Sequence, residues 1–266
     1  MPEEQYHIFL KLYHLEQKLL DKKLPIAQAR AMNYALTGLI NACLNTNRFV
    51  KAEELLKVIE RLMETNPEKE AELTNYYFWL QSWLFIQFKK GRHREGLQLL
   101  NEHLPRVIKS DAEGNYSVFL SNVYQLKIIF ELSLRLYREG MLSVHELETL
   151  NKKTSSPLIY KDCEIVKALI QFDMRNEQLM QGILSSVLKK QKDYNLGKDE
   201  RKIWNGFKKM NRVNYTEGLK HLHKQVAGME SPITIFKLLD LEHWIKSRAG
   251  GLEISRILHE SLISIH

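Results

Sequence analysis

The sequence predicts an all-α protein, an α-solenoid of about six stacked antiparallel helical hairpins with no β-sheet. Apolar residues recur at helical spacing along nearly all of the 266 residues, and helix-forming residues dominate over only 12 glycines and 6 prolines. Short polar turns recur at intervals of 44, 49, 36, 37 and 37 residues, and a period of about 30 to 50 residues is typical of stacked hairpins. We expect one elongated domain over residues 1–266, with a possible subdivision near 151–157.

The apolar periodicity divides the chain into about thirteen helices. Several prolines, such as Pro157, fall in the first turn of a proposed helix, where a missing backbone N–H costs nothing. Glycines such as Gly91 and Gly140 follow helix ends, where a left-handed residue is favoured. The predicted helices are at about 3–21, 25–45, 48–64, 68–90, 93–109, 114–138, 143–152, 157–173, 176–193, 198–210, 214–227, 231–248 and 251–265.

The stretch 34–63 shows the hairpin most clearly, as two amphipathic helices joined by a polar turn. It places Leu39 in the first helix, an Asn-x-Phe turn at 47–49, and Ala52, Leu56 and Ile59 in the second helix. This pattern resembles the tetratricopeptide repeat, and the resemblance covers roughly residues 30–265 in scattered positions. It implies a superhelix of stacked hairpins.

Other copies of the hairpin keep parts of the same pattern. The second copy has Gly91 in its turn, and then Gly96 and Leu100 in its second helix. The resemblance implies close helix crossings at Ala52 and Gly96. The residues expected to be buried between neighbouring helices are Leu39, Ala52, Leu56, Leu100, Leu222 and Leu262.

The resemblance also implies a concave groove, lined by the side of each hairpin's first helix (helix A) that faces away from its second helix (helix B). The groove candidates are Asn41, Asn45, Gln81, Lys89, Lys127 and Arg138. An asparagine can bond an extended peptide backbone through both its donor and its acceptor, and Asn41 stands where peptide-clamping family members carry one. Thr37 stands where those members place a lysine, which departs from the pattern that captures a C-terminal carboxylate. The alternative is that Asn41 and Asn45 are solvated polar positions.

Positive charge is concentrated in the second half of the chain. Residues 151–266 carry 20 basic and 13 acidic side chains, and residues 187–224 alone carry 11 basic against four acidic ones. The candidates for a basic face are Lys189, Lys190, Lys192, Arg201, Lys208, Lys209, Arg212 and Lys220. Such a field attracts an acidic protein, nucleic acid or anionic lipid. The alternative is a lysine-rich solvated face that keeps the protein soluble.

Aromatic residues are interleaved with these charges, as the stacking of single-stranded nucleic acid requires. They are Tyr194, Trp204, Phe207 and Tyr215. Because Trp204 and Phe207 are three residues apart on one helix, the spacing favours a core position for both.

No motif in the sequence indicates a catalytic site, a cofactor or a metal. Phosphate-binding glycine loops, nucleophile elbows, paired His ligands on a helix and Cys-x-x-Cys are all missing. Cys43 and Cys163 lie far apart in apolar stripes, which favours small buried side chains and a reducing cytoplasm. We expect no signal peptide, because the N-terminus is acidic and amphipathic where such a peptide is basic and then uniformly apolar. No apolar run reaches the ~18 residues of a membrane span.

The expected function is therefore a protein-protein interaction scaffold rather than an enzyme. A peptide or protein partner would bind in the groove or on the basic face, and an acidic partner suits the latter. The alternative is a nucleic-acid-associated or regulatory protein that uses the basic face, although no base-reading element is recognisable.

Overall fold

The computed structural model describes residues 2–20, 26–65, 69–110, 117–154, 156–210, 214–229, 233–236, 238–254 and 256–258. The helices are α1 (Pro2–Leu20), α2 (Ile26–Asn45), α3 (Phe49–Thr65), α4 (Lys69–Lys89), α5 (His93–Ser110), α6 (Ser117–Ser133), α7 (Tyr137–Thr154), α8 (Pro157–Asp173), α9 (Glu177–Lys189), α10 (Lys198–Lys208), α11 (Tyr215–Ala227) and α12 (Leu241–Gly250). Residues 254 and 256–258 are also helical. The predicted all-α class is confirmed.

One small β-hairpin departs from the expectation that the chain has no sheet. Strands β1 (Thr234–Ile235) and β2 (Leu239–Asp240) pair antiparallel where one helix over 231–248 was predicted. The apolar residues around β1 are β-branched, which favours a strand, and Phe236 has a left-handed φ of 53° in the turn. Helix α12 begins only after Asp240, whose carboxylate accepts a hydrogen bond from the Glu242 N–H at 2.8 Å.

The turn between the two helices of a hairpin is built in the same way four times. Each time the chain passes through one left-handed residue two positions before the next helix begins. These residues are Asn47, Gly91, Arg135 and Arg175, with φ between 57° and 67°. The N–H that follows donates to the carbonyl five residues earlier, as Arg48 does to Cys43 at 2.8 Å, so each helix ends in a Schellman motif. The turns are thus 44, 44 and 40 residues apart.

The third of these turns lies five residues before its predicted place. The sequence pattern assigned a helix end to Gly140, but α6 ends at Ser133 and Arg135 takes the left-handed conformation. Arginine carries no signal for that conformation, whereas glycine does. Gly140 lies inside α7, where an added Cβ would be 3.4 Å from Cδ1 of Ile170.

A small residue stands five positions after the left-handed residue in three of the four hairpins. Ala52 is fully buried, and at Gly96 a Cβ would lie 2.5 Å from the ring of Phe130. The predicted close crossing is therefore confirmed at Gly96. Leu39, Ala52, Leu56, Leu100 and Leu222 are buried as predicted, and Leu262 lies outside the described residues.

The chain forms two compact units, Met1–Ile86 and Gln87–His266. In the first unit α1 packs against α2 and α2 against α3. In the second unit each helix from α5 to α12 packs against the next one along the chain. Across the predicted subdivision near 151–157, the Asn151 amide donates to the Ser156 carbonyl and accepts from the Ser156 N–H. The single domain over 1–266 stays a prediction.

Two further expectations concern the cysteines and the membrane. Cys43 and Cys163 are free and buried, and burial raises the pKa of the Cys43 thiol to about 11. Among the described residues, no helix combines the length and the apolar character that crossing a bilayer requires.

Candidate partner-binding surfaces

The groove candidates of the first unit lie on helix A of their hairpins. Asn41 and Asn45 are one turn apart on α2, and both side chains are exposed. Gln81 lies on α4 and is half-buried. Their common role in one groove stays a prediction.

The third-copy candidates, Lys127 and Arg138, lie elsewhere than the predicted groove wall, because the third turn is displaced. The Lys127 ammonium donates to the Ser143 hydroxyl and lies 3.2 Å from a carboxylate oxygen of Glu131. It therefore faces α7, whereas a groove residue would face away from it. Burial raises the pKa of the Glu131 carboxyl, while Ser143 and Lys127 oppose that rise. Arg138 is exposed near the start of α7, which is a helix B.

Counting back from the left-handed residue identifies the equivalent groove positions on α8. The candidates Asn45 and Lys89 stand two residues before Asn47 and Gly91, and Asp173 stands two residues before Arg175. Likewise Asp162 stands 13 residues before Arg175, and the same count back from Asn47 and Gly91 gives Tyr34 and Phe78, which the tetratricopeptide pattern would place on the groove side of helix A.

Both aspartates hold the chain's own C-terminal segment, which we define as β1, β2 and α12. The Asp162 carboxylate accepts the Phe236 N–H at 2.8 Å. The Nε–H of Arg248 is shared between the two carboxylate oxygens of Asp173, each 2.9 Å from Nε, and Nη2 donates to the same carboxylate at 2.7 Å. The side chains of Arg248 and Asp173 are only 4% and 3% exposed, so this ion pair is buried.

Apolar contacts with α8 and α10 also hold the C-terminal segment in place. Trp244 is fully buried, with its ring centroid 5.6 Å from that of Phe172 and 5.8 Å from that of Phe207. Burial lowers the pKa of the Lys89 ammonium, and the Asp240 carboxylate opposes that shift. In the second unit, therefore, the helix A face of α8 is occupied from within the chain. The sequence signal that could have shown this is the pair of acids that flanks the mainly apolar stretch 163–172 of α8.

The basic candidates lie on α9, α10, α11 and the turns that join them. Lys189, Lys190, Lys192, Arg201, Lys209 and Lys220 are exposed and Lys208 is half-buried. Arg212 lies outside the described residues. Arg201 donates to the Gln191 side-chain oxygen at 2.9 Å, and Lys190 lies 5.8 Å from the ring centre of Tyr194.

Most of these lysines have no acidic partner. In the described part of the chain, no ion pair joins a carboxylate to Lys189, Lys192, Lys198, Lys209 or Lys220. Lys202 is the exception, with its ammonium 3.3 Å from Asp199.

The acids of this region are partly neutralised by other groups. Glu200 lies 3.2 Å from the ammonium of Lys161 on α8, and its other oxygen accepts the Gly197 N–H at 3.2 Å. Asp199 is paired with Lys202. The Asp199–Lys202 pair leaves the counted excess of seven bases unchanged, and the Glu200–Lys161 pair adds at most one positive charge to it.

Two open clefts run along this surface. The first, of about 670 Å³, lies between α10 and α11 and is lined by Lys202, Asn205, Gly206, Lys209, Met210, Asn214, Glu217, Gly218, His221, Leu222 and Gln225. We call it the α10–α11 cleft. The second, of about 820 Å³, shares Gln225 with it and continues past Lys161, Lys198, Gly228 and Thr234.

The interleaved aromatic residues do not face these clefts as a stacking platform. Trp204 and Phe207 are fully buried and Tyr194 is buried. The ring of Tyr215 stacks on Phe172 with centroids 4.7 Å apart, and the Arg175 guanidinium lies 3.3 Å from its centre. All four aromatics are thus engaged within the fold.

Metal ligands are not grouped in this structure. Over the described ranges, no three His, Cys, Asp or Glu side chains are placed so that they could hold a metal ion together.

Comparison with known proteins identifies the fold alone. No protein-family model and no curated protein matches the sequence. A solved structure, the crystal structure of BtubC (BKLC) from P. vanneervenii, is similar with a TM-score of 0.57 over 100% of this chain and 91% of that chain, at 10% sequence identity. The chain therefore shares an overall helical architecture with that protein.

Proposed function

We propose that this protein is a protein-protein interaction scaffold whose working surface is the basic face of α9, α10 and α11, and that its partner there is an acidic protein. The observation that carries the proposal is the row of exposed lysines without acidic partners beside two open clefts. Unpaired surface charge stabilises a folded protein very little. It does steer and hold a partner of opposite charge.

The helix A face supports binding less well in the second unit. There the C-terminal segment occupies α8 through Asp162 and Asp173, so an external peptide would have to displace buried apolar side chains. In the first unit Asn41 and Asn45 are exposed and remain the candidates for a peptide groove. The recurring left-handed turn with a small residue five positions later supports a tetratricopeptide-like repeat.

Nucleic acid is the second candidate partner, and the same field of lysines favours it. The burial of Trp204, Phe207 and Tyr194 argues against single-strand stacking, so binding would depend on phosphate contacts. The two buried cysteines fit a reducing compartment such as the cytoplasm.

The test compares two triple charge reversals with the same change in net charge. The face variant is Lys189→Glu/Lys209→Glu/Lys220→Glu, and the control is Lys57→Glu/Lys109→Glu/Lys152→Glu, at exposed lysines on α3, α5 and α7. Fluorescence anisotropy measures binding to labelled poly-L-glutamate, duplex DNA and single-stranded RNA. The face variant should bind poly-L-glutamate at least about tenfold more weakly, because each reversal replaces attraction by repulsion.

The outcomes separate the candidates. Wild-type binding to poly-L-glutamate that survives in the control but not in the face variant supports an acidic protein partner. Tighter binding to nucleic acid, lost in the face variant alone, supports the second candidate. No binding to any probe, or equal loss in both variants, would overturn the proposal that this face is the working surface.

A further inference from the structure

We infer that the α10–α11 cleft holds an extended acidic peptide segment of a partner protein, an inference that rests on the proposed function. The cleft has two walls of polar side chains and a floor of backbone. Each of these parts points to the same ligand.

The α10 wall carries the positive charge. Lys202, Asn205 and Lys209 are three and four residues apart and so lie on one face of the chain there. Lys209 has no carboxylate partner among the described residues. A ligand carboxylate at this wall would pair with Lys209 and could share the exposed Lys202 with Asp199.

The α11 wall carries hydrogen-bonding groups of both kinds. Glu217, His221 and Gln225 follow each other at four-residue spacing and face the cleft. Nε2 of His221 and Nε2 of Gln225 are 2.9 Å apart, so these two side chains bond each other. Side-chain amides and a carboxylate can bond the N–H and C=O groups of an extended peptide, which has no internal partners for them.

The floor is formed where two glycines let Leu222 and Met210 pack closely between α10 and α11. A Cβ on Gly206 would lie 2.6 Å from Cδ2 of Leu222, and a Cβ on Gly218 would lie 2.5 Å from Sδ of Met210. Leu222 and Met210 are themselves buried. The ligand therefore meets backbone and small surface between two rows of long side chains.

The spacing of the lysines fits an extended chain. Seven residues of helix separate Lys202 from Lys209 by about 10 Å along the axis. A polyproline II chain repeats its side-chain direction every three residues, or about 9 Å. Acidic side chains three residues apart would thus reach both lysines, and the second cleft, which shares Gln225, offers Lys198 to the chain beyond.

A peptide fits this mixed wall better than nucleic acid does. Glu217 stands in the cleft and would repel every phosphate of a nucleic acid that passes it, whereas a peptide with acidic side chains only at intervals can present backbone N–H groups to it as hydrogen-bond donors. The nearby rings of Trp204 and Phe207 are buried and cannot stack on bases.

The experiment uses the full chain and a fluorescein-labelled (Pro-Pro-Glu)₄ peptide, which is already extended and acidic. Lys202→Ala/Lys209→Ala removes two charges from the cleft, and Lys57→Ala/Lys152→Ala removes two from exposed positions of α3 and α7, outside the basic face. The cleft variant should bind about 2- to 30-fold more weakly, the loss expected for two surface ion pairs, while the control should stay within about twofold.

A second pair of variants blocks the cleft without changing charge. Asn205→Phe fills the α10 wall, and Thr216→Phe places the same ring on an exposed position of α11 that does not line the cleft. Only Asn205→Phe should weaken binding.

Equal losses for Asn205→Phe and Thr216→Phe would overturn the cleft while leaving the basic face as the binding surface, and equal losses for the two lysine pairs would overturn both. Binding to poly-L-glutamate without binding to the peptide would also overturn the cleft alone. A wild-type protein that binds neither probe would overturn both this inference and the proposed function. In another outcome, the wild-type protein binds duplex DNA more tightly than the peptide and loses that binding in Lys202→Ala/Lys209→Ala but not in the control. That result would assign the cleft to nucleic acid.

Discussion

Replacing Arg248 by methionine should lower the free energy of unfolding of the second unit by about 3 to 5 kcal/mol. The substitution keeps most of the apolar length of the side chain but removes the guanidinium. Asp173 would then stay buried with the Tyr137 hydroxyl, 3.1 Å away, as its remaining side-chain donor. A domain of ordinary stability has only about 5 to 15 kcal/mol to lose.

The magnitude follows from the contacts that disappear. Three N–O contacts of 2.7 to 2.9 Å join the guanidinium to the carboxylate, and a further N–H of Arg248 lies 3.4 Å from the Leu132 carbonyl. Charge-assisted hydrogen bonds contribute about 1.5 to 3 kcal/mol each in net terms. They do not add fully, because the desolvation of both ions offsets part of the gain.

Urea unfolding followed by tryptophan fluorescence measures the loss, and hydrogen exchange over residues 238–254 shows whether it is local to the C-terminal segment. Arg248→Met/Asp173→Leu is the matched control. It should be much more stable than the sum of the single variants predicts, because no charge remains buried without a partner. A loss below about 1 kcal/mol for Arg248→Met, or additive losses in the double variant, would refute the reasoning.

Three further predictions concern single residues. Gly251 has a φ of +66° with open space around it, whereas Gly250 ends α12 and has room for a methyl group. In thermal unfolding, Gly251→Ala should therefore destabilise the protein by about 1 kcal/mol and Gly250→Ala should stabilise it by about 0.5 kcal/mol. A stability change of the same sign in both variants would contradict this. Burial lowers the pKa of His93 to about 4, so protonation opposes folding, and the free energy of unfolding should fall by up to about 3 kcal/mol as pH falls from 6.5 to 4. In His93→Phe the urea midpoint should change less with pH over that range. Parallel pH profiles for the wild type and the variant would show that another group is responsible. Ala52→Leu should overpack the first unit and cost about 1 to 3 kcal/mol, and an unchanged melting temperature would rule out a tight crossing at that position.

The helices could be predicted from the sequence wherever local signals and packing agree. Asn47 and Gly91 adopt the left-handed conformation readily, so the first two turns were found in place. Arg135 adopts it because the helices on both sides fix the chain. The sequence pattern, which favours glycine at such a turn, places it at Gly140, five residues after its observed position. Local residue preference cannot report a conformation that tertiary packing imposes.

The basic surface shows the same contrast between what the local sequence predicts and what tertiary packing decides. The excess of positive charge over 187–224 is a property of the sequence and was predicted. Which charges remain uncompensated depends on distant partners, such as Lys161 for Glu200, 39 residues away. The hairpin was missed because its strand is held by Asp162, 74 residues before Phe236, and apolar periodicity alone does not distinguish a short strand from a helix.

The C-terminal segment also sets the order of events during synthesis. Asp173 precedes Arg248 by 75 residues and Leu132 precedes it by 116. At about 5 to 20 residues per second, the ribosome needs about 4 to 15 s to make the chain from Asp173 to its partner. Throughout that interval Asp162 and Asp173 lack the donors that the segment supplies, and Phe172 has Phe207 and Tyr215 but not Trp244 as ring partners. We expect a chain that ends before Arg248 to leave Asp173 without its ion pair and to be less stable than the full chain.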